Sequence, residues 1–226
     1  MIYILTTTEK GDILVFMPGG GDLQKGCLLL NRKNKEANKN KKVELMCKEL
    51  KASTKGDELK IIIHATKYKN TGFNRKVDIS TNTAESSVTI DGLDYVIDSG
   101  LSKQNWYIPE SNYEALQPRR ISKANHKQRL GRTGRTAPGT CYNLFTEEEY
   151  EKDYPAHLEP PILVEHQKEN VLSFLNSDFV DYSPFPFSYD DTTEKSLSNF
   201  LSKLLTKPKE SFIQISILIL FSLGAL

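Results

Sequence analysis

The sequence predicts an α/β domain built on a mainly parallel sheet, followed by a small, mostly helical domain. Three observations support this. Short apolar runs rich in β-formers alternate with stretches that suit helices. The runs end in residues that favour turns. Then Pro155, Pro160, Pro161, Pro184 and Pro186 interrupt a region that otherwise reads helical, which places a domain boundary near residues 155–161.

Taken in order, residues 13–16 are an apolar run between Gly11-Asp12 and Pro18, expected to be a buried strand ending in a loop. Residues 22–30 and 43–50 can be helical. Ile61, Ile62 and Ile63 are expected to form another buried strand, with further strands at 76–80, 94–98 and 140–145. In the tail, 162–175 and 197–205 are candidate helices. The last apolar stretch, 212–226, contains Gln214 and falls short of the ~20 residues that span a bilayer. A buried amphipathic helix is expected there, with no membrane partner.

The 226 residues include 10 Phe, 10 Tyr and 1 Trp, enough for a core, so wholesale disorder is excluded. A net charge of +1 excludes a uniformly basic coat and an acidic tail. That total hides segregation. Residues 32–42 hold six bases and one acid, 119–135 hold seven bases and no acid, and 142–195 hold thirteen acids and three Lys. The first run lies in a low-complexity insert near residues 31–42, expected to be solvated. Cys27, Cys47 and Cys141 show no CxxC, so neither a zinc site nor a disulfide is expected. Reduced thiols and an N-terminus without a basic leader fit an intracellular protein of the nucleus or cytoplasm.

The stretch from Gln128 to Arg135 is the most informative. Ser122 can cap a helix starting at Lys123. If that helix runs through Gly134, Gln128, Arg132 and Arg135 share one face over about 10 Å. Arg129 points about 100° away from Gln128. Gly131 and Gly134 each cost about 1 kcal/mol in a helix, which suggests that another surface approaches closely. One amide and two guanidiniums on one face suit a polyphosphate. A second cluster, from Ser80 to Gly92, puts hydroxyls and an Asn at the C-terminal end of a strand, where ligands bind in open parallel sheets.

The phrases STNTAESSVTIDGLDYVIDSG (residues 80–100) and ISKANHKQRLGRTGRTAPGTCYNLFTEEEY (residues 121–150) resemble motifs V and VI of the DEAH-box (DEAH/RHA) RNA helicases of superfamily 2. GDILVFMPGGGDLQ (residues 11–24) resembles their motif IV region. The resemblance implies a RecA-like parallel sheet flanked by helices, of the P-loop NTPase type, over residues 1–155. It implies a winged-helix-like domain over 156–226, with an insertion near 178–208. It makes Arg132 and Arg135 arginine fingers and Gln128 their neighbour on ATP and its Mg²⁺. Ser87, Thr89, Asp91 and Gly131 would lie on the nucleotide side. Thr81, Asn82, Lys103 and Lys123 would contact RNA. Arg129 would be structural. Residues 103–118 would form a hairpin in which Trp106, Tyr107 and Tyr113 either stack on bases or pack against the domain.

The sequence departs from that family in three ways. It contains neither GxxxxGK[ST] nor DExH. The stretch between Ile63 and Lys76 is short, with His64-Ala65-Thr66 as a remnant of an RNA-contacting turn. It stops at the winged helix. It therefore reads as half of an ATP-dependent RNA helicase, inactive by itself. The alternative is a non-catalytic RNA- or protein-binding module derived from one. An activating protein partner is possible in either case.

Overall fold

A computed structural model describes residues 1–8, 10–37, 45–64, 68, 72–135, 138–178, 180 and 196–226. Their strands are β1 (Asp12–Phe16), β2 (Leu45–Leu50), β3 (Arg75–Ser80), β4 (Leu93–Asp98), β5 (Leu101–Ile108), β6 (Tyr113–Arg120) and β7 (Thr140–Asn143). Their helices are α1 (Ile2–Thr7), α2 (Gly20–Ala37), α3 (Gly56–Ile63), α4 (Thr83–Ser86), α5 (Lys123–Leu130), α6 (Glu147–Asp153), α7 (Lys168–Leu175), α8 (Leu197–Ser202) and α9 (Glu210–Ser222). Five strands form a parallel sheet in the order β2-β3-β1-β4-β7. β5 and β6 form a separate hairpin.

The chain divides into two units. The first holds Met1–Lys103 and Pro118–Leu158, the second Gln104–Gln117 and Glu159–Leu226. In the first, the central strands are buried on both faces, as parallel sheets require. Ile13, Val15, Val77 and Ile79 pack on one face with Leu23, Cys27 and Leu30 of α2. Those three are spaced four and three apart, the stripe a helix needs to cover a sheet. Gly26 permits the close approach, since a Cβ there would sit 2.9 Å from Ile79 Cδ1. On the other face Leu14, Phe16 and Val96 pack with Ile62 of α3, Ala84 of α4 and Ile90.

In the second unit Val171, Leu175, Leu197, Leu201, Ile213, Ile217 and Leu220 form a helical core. Within α9, Ser216 donates to the Phe212 carbonyl at 2.6 Å, which satisfies a buried hydroxyl. No described helix is long and apolar enough to cross a membrane. The outer hairpin belongs to this unit. There Tyr107 is buried edge-on to Phe212, with ring centroids 5.2 Å apart, so it packs rather than waits for a base. Lys209 Nζ sits 5.9 Å from the centre of the Trp106 ring, and Tyr113 is exposed.

Several expectations are corrected. Ile61, Ile62 and Ile63 end helix α3 and are not a strand. Residues 45–50, expected to be helical, are edge strand β2, where buried Leu45, Met46 and Leu50 frame polar positions. Helix α2 continues to Ala37 and takes in the first half of the basic run, where Glu36 pairs with Arg32 and Lys33. Residues 38–42 of that run, 65 and 66 of the supposed turn, and 181–195 of the supposed insertion lie outside the described residues. Cys27 and Cys47 are joined in a disulfide, contrary to the expectation of reduced thiols. Packing of α2 on β2 brings residues 20 apart into bonding range. A ring of that size stabilises by about 3 kcal/mol in the chain-entropy model.

The sheet also buries charge. Arg75 donates through Nη1 and Nη2 to the Thr8 carbonyl and hydroxyl at 3.1 and 3.0 Å, and through Nε to the Gly11 carbonyl. It thus ties α1 to the start of β1. Lys76 reaches the Ile62 carbonyl at the end of α3, and its Nζ lies 3.0 Å from Asp78 Oδ2. Both side chains are fully buried, and neither Asp78 oxygen has a well-aligned hydrogen bond. Burial pushes the Asp78 carboxyl up to about 7, against the pull of Lys76. Its folded pKa exceeds its unfolded one, so the folded state binds the extra proton. Stability should fall as pH rises through that interval, by about 2–3 kcal/mol between pH 5 and pH 8. Asp78→Asn should abolish this slope in urea titrations at the two pH values. A slope that Asp78→Asn leaves unchanged would show that groups other than Asp78 set it.

Candidate functional site

The site is built around helix α5. Its first turn is closed by a capping box in which the Asn125 amide donates to Ser122 Oγ at 3.1 Å. Gly131 caps its other end by donating to the Lys127 carbonyl at 3.0 Å. The helix therefore stops at Leu130 and does not run through Gly134. Gly134 has φ of 75°, a left-handed conformation that glycine adopts freely. A Cβ on Gly134 would meet nothing within 4 Å, so backbone conformation, not a close neighbour, explains that glycine.

One face of α5 is fixed by a buried network. Arg129 Nε donates to Glu85 Oε1 at 2.8 Å, and Nη2 is equally close to that oxygen. Nη1 donates to Asp98 Oδ1 at 2.7 Å and to the Leu101 carbonyl at 3.2 Å. Asn125 donates to the other Glu85 oxygen at 2.8 Å, and His126 Nδ1 lies 2.9 Å from Asp98 Oδ2. The Arg129 guanidinium sits 4.7 Å from the Phe16 ring centre and is fully buried. Burial alone would raise the Asp98 pKa. The His126 hydrogen bond, the Arg129 charge and the Gly100 amide outweigh it and hold that carboxyl below its usual range.

Beyond this face lie two arginines of different character. Arg132 donates to the Gln128 carbonyl at 3.4 Å and the Val88 carbonyl at 3.2 Å. Arg135 donates to the Gly131 carbonyl at 3.3 Å and to Thr89 Oγ1 at 3.3 Å. Among the described residues no carboxylate pairs with either. Burial and the neighbouring Arg135 charge both push the Arg132 pKa down. The expected common face is thus replaced by a turn, yet the turn still brings both guanidiniums onto the 88–89 loop. Gln128 is exposed one turn before Arg132. Thr133 anchors the turn by donating to the Leu93 and Asp94 carbonyls at 3.1 and 3.2 Å.

The remaining candidates separate into groups. Thr81 and Asn82 follow β3 at the C-terminal edge of the sheet. Lys103 reaches the same edge, where its backbone amide donates to the Pro18 carbonyl at 3.1 Å. Ser87 and Thr89 are exposed between α4 and β4. Asp91 turns to His64, with Oδ2 3.9 Å from Nδ1, and not to the arginines. Lys123 is held by Glu151 at 2.8 Å and lies over the Tyr150 ring. Arg120 is held by Asp153 at 2.8 Å and Glu149 at 3.4 Å. Sequence reasoning assigned no role to Glu85, Asp98, Asn125 or His126. A buried acid is legible only once the strand that opposes it is known.

A five-stranded parallel sheet flanked by helices, with the capped arginine helix α5 beside it, is a RecA-like arrangement. The chain belongs to the family of the helicase conserved C-terminal domain, whose model matches residues 1–137. Its type is DExH/DEAH-box. It is 34% identical, over 99% of its length, to the chloroplastic DExH-box ATP-dependent RNA helicase DExH4 of Arabidopsis thaliana. Two crystal structures of Escherichia coli HrpB also match over 99% of the chain. The DExH-box NTPase structure gives 25% identity and a TM-score of 0.75, and the DEAH/RHA helicase structure gives 26% and 0.76. The chain spans 14% of the plant relative and about a quarter of each HrpB chain. The relative's chloroplastic name gives the expected nuclear or cytoplasmic location no specific support.

Arg129 and Arg132 should differ sharply when removed. Arg129→Met strands two buried carboxylates and should cost about 3–5 kcal/mol in urea unfolding. Arg132→Ala should cost no more than about 1 kcal/mol, since its bonds are partly exposed. Equal costs would contradict the division between a buried, ion-paired arginine and one bonded only to carbonyls.

Proposed function

We propose that this chain is the second RecA-like half of an ATP-dependent RNA helicase, followed by a winged-helix domain, and that Arg132 and Arg135 act on the nucleotide phosphates. The carrying observation is that two neighbouring guanidiniums, both bonded to the 88–89 loop, have no acid partner among the described residues. Within 119–135, Arg120, Lys123 and Arg129 each have a carboxylate partner, whereas Arg132 and Arg135 have only carbonyls and a hydroxyl. Two neighbouring guanidiniums without an acid between them fit a polyphosphate. A pure binding module would need no such pair.

The residue roles follow. Arg132 and Arg135 place positive charge where the transferring phosphoryl group develops negative charge. Gln128 supplies an amide beside them. Gly131 and Thr89 hold Arg135 through a carbonyl and a hydroxyl, and Ser87 and Asp91 flank that loop. Thr81, Asn82 and Lys103 contact the RNA backbone, which carries no base information. Lys123 does so only after leaving Glu151. ATP supplies the phosphoryl group when bound with Mg²⁺. The described residues offer no group of three or more His, Cys, Asp or Glu for an ion, so this reading assigns Mg²⁺ to a first RecA-like domain.

Residues 1–226 alone should show no RNA-stimulated ATP turnover. Clear turnover that disappears in Arg132→Ala would overturn that half of the reading. In a helicase that carries this segment together with a first RecA-like domain, Arg132→Ala or Arg135→Ala should lower kcat about 10³–10⁵-fold. Thermal unfolding and RNA affinity should stay near the parent's. A loss under tenfold would favour the non-catalytic binding module.

A further inference from the structure

The Cys27–Cys47 bond takes no part in the proposed nucleotide or RNA chemistry. It joins α2 to β2, the edge strand, which pairs only with β3 in the described sheet. Cys27 is 9% exposed and Cys47 is half-buried, and both line a surface cavity of about 370 Å³. Lys48, Glu49, Thr54 and Glu58 are among the other residues that line it. A sulfur at the wall of an open cavity is one that an external thiolate can reach. β2 also bears on the RNA-contact turn. Cys47 pairs in register with Val77, and three residues on, Ser80 donates to the Leu50 carbonyl at 3.2 Å, just before Thr81 and Asn82.

We propose that Cys27–Cys47 is a reversible redox site, opened by an external dithiol and closed by oxidation, that governs how firmly β2 is held to α2. A thiolate of the dithiol attacks the more exposed Cys47 sulfur, forms a mixed disulfide and expels the Cys27 thiolate, which takes up a proton. The reductant's second thiol then attacks its own sulfur in that mixed disulfide and expels Cys47, which is protonated in turn. The net change is two electrons and two protons to the protein, and the dithiol leaves as its disulfide. Cys141 stays out of the exchange. Burial, with the Asp98 charge, pushes its thiol up to about 12, which leaves almost no thiolate.

The test uses the full chain purified without reductant. Thiols are alkylated and counted by mass after denaturation, before and after native-state treatment with dithiothreitol. The expected counts are one and then three. The reduced protein should melt about 5–10 °C lower and regain the difference on reoxidation. Cys27→Ala/Cys47→Ala should melt at the reduced value in either buffer. Three thiols before treatment would show that no bond forms. A bond that dithiothreitol opens only in denaturant, or a reduction that leaves the melting point unmoved, would also overturn the proposal. The thiol counts decide the matter even if the double variant fails to fold.

Discussion

The buried guanidinium of Arg129 is the interaction on which the rest of the first unit depends. It is fully buried and is shared between Glu85, which lies in α4 just after Thr81 and Asn82, and Asp98, which ends β4. A charge there is tolerated only because both partners are anionic and are themselves hydrogen-bonded. The arrangement fixes the rotation of α5 about its own axis. Gln128, Arg132 and Arg135 then lie where α5 and its capping turn place them. Rotation of α5 would have to break ion pairs in a low-dielectric interior, so Arg132 and Arg135 inherit the rigidity of a buried arginine.

The segment from Thr81 to Thr89 gives this rigidity a direction. It leaves the C-terminal edge of β3, passes through α4 and returns to the start of β4, where Arg132 and Arg135 meet its carbonyl and hydroxyl groups. Glu85 sits in its middle and is clamped to α5. The two candidate ligand regions therefore lie at opposite strand ends and share one short, tethered peptide. A shift at either end must pass through Glu85 or strain it. That is a contiguous physical link between the two regions.

Much of this was legible in the sequence. The apolar runs at 13–16 and 94–98 are strands because a parallel sheet buries both faces, and such runs announce themselves. The N-cap at Ser122 was visible from residue type alone; its reciprocal partner Asn125 was not. The helix end was not, because a glycine reads alike as a close-packing site and as a left-handed cap. The interchange of strand and helix at 45–50 and 61–63 has a similar cause. Three isoleucines in a row look like a strand, but only Ile62 is fully buried, on a helix face. An edge strand such as β2 needs few apolar residues and so hides. The disulfide was illegible because neither cysteine spacing nor composition encodes which helix lies against which strand.

The acidic helix α6 has a consequence for how this segment would behave as a polyelectrolyte partner. Glu149, Asp153 and Glu151 already sit on Arg120 and Lys123. A cation that brings its own counter-charge displaces few ions from a nucleic acid, because counterion release counts only net neutralisation. Seven basic residues between 119 and 135 would thus contribute far fewer than seven to the salt dependence of RNA binding. The segment looks like an electrostatic glove for phosphate in one dimension. In three dimensions, three of its seven cations already carry their own counter-charge, while Arg132 and Arg135 lie side by side without one among the described residues.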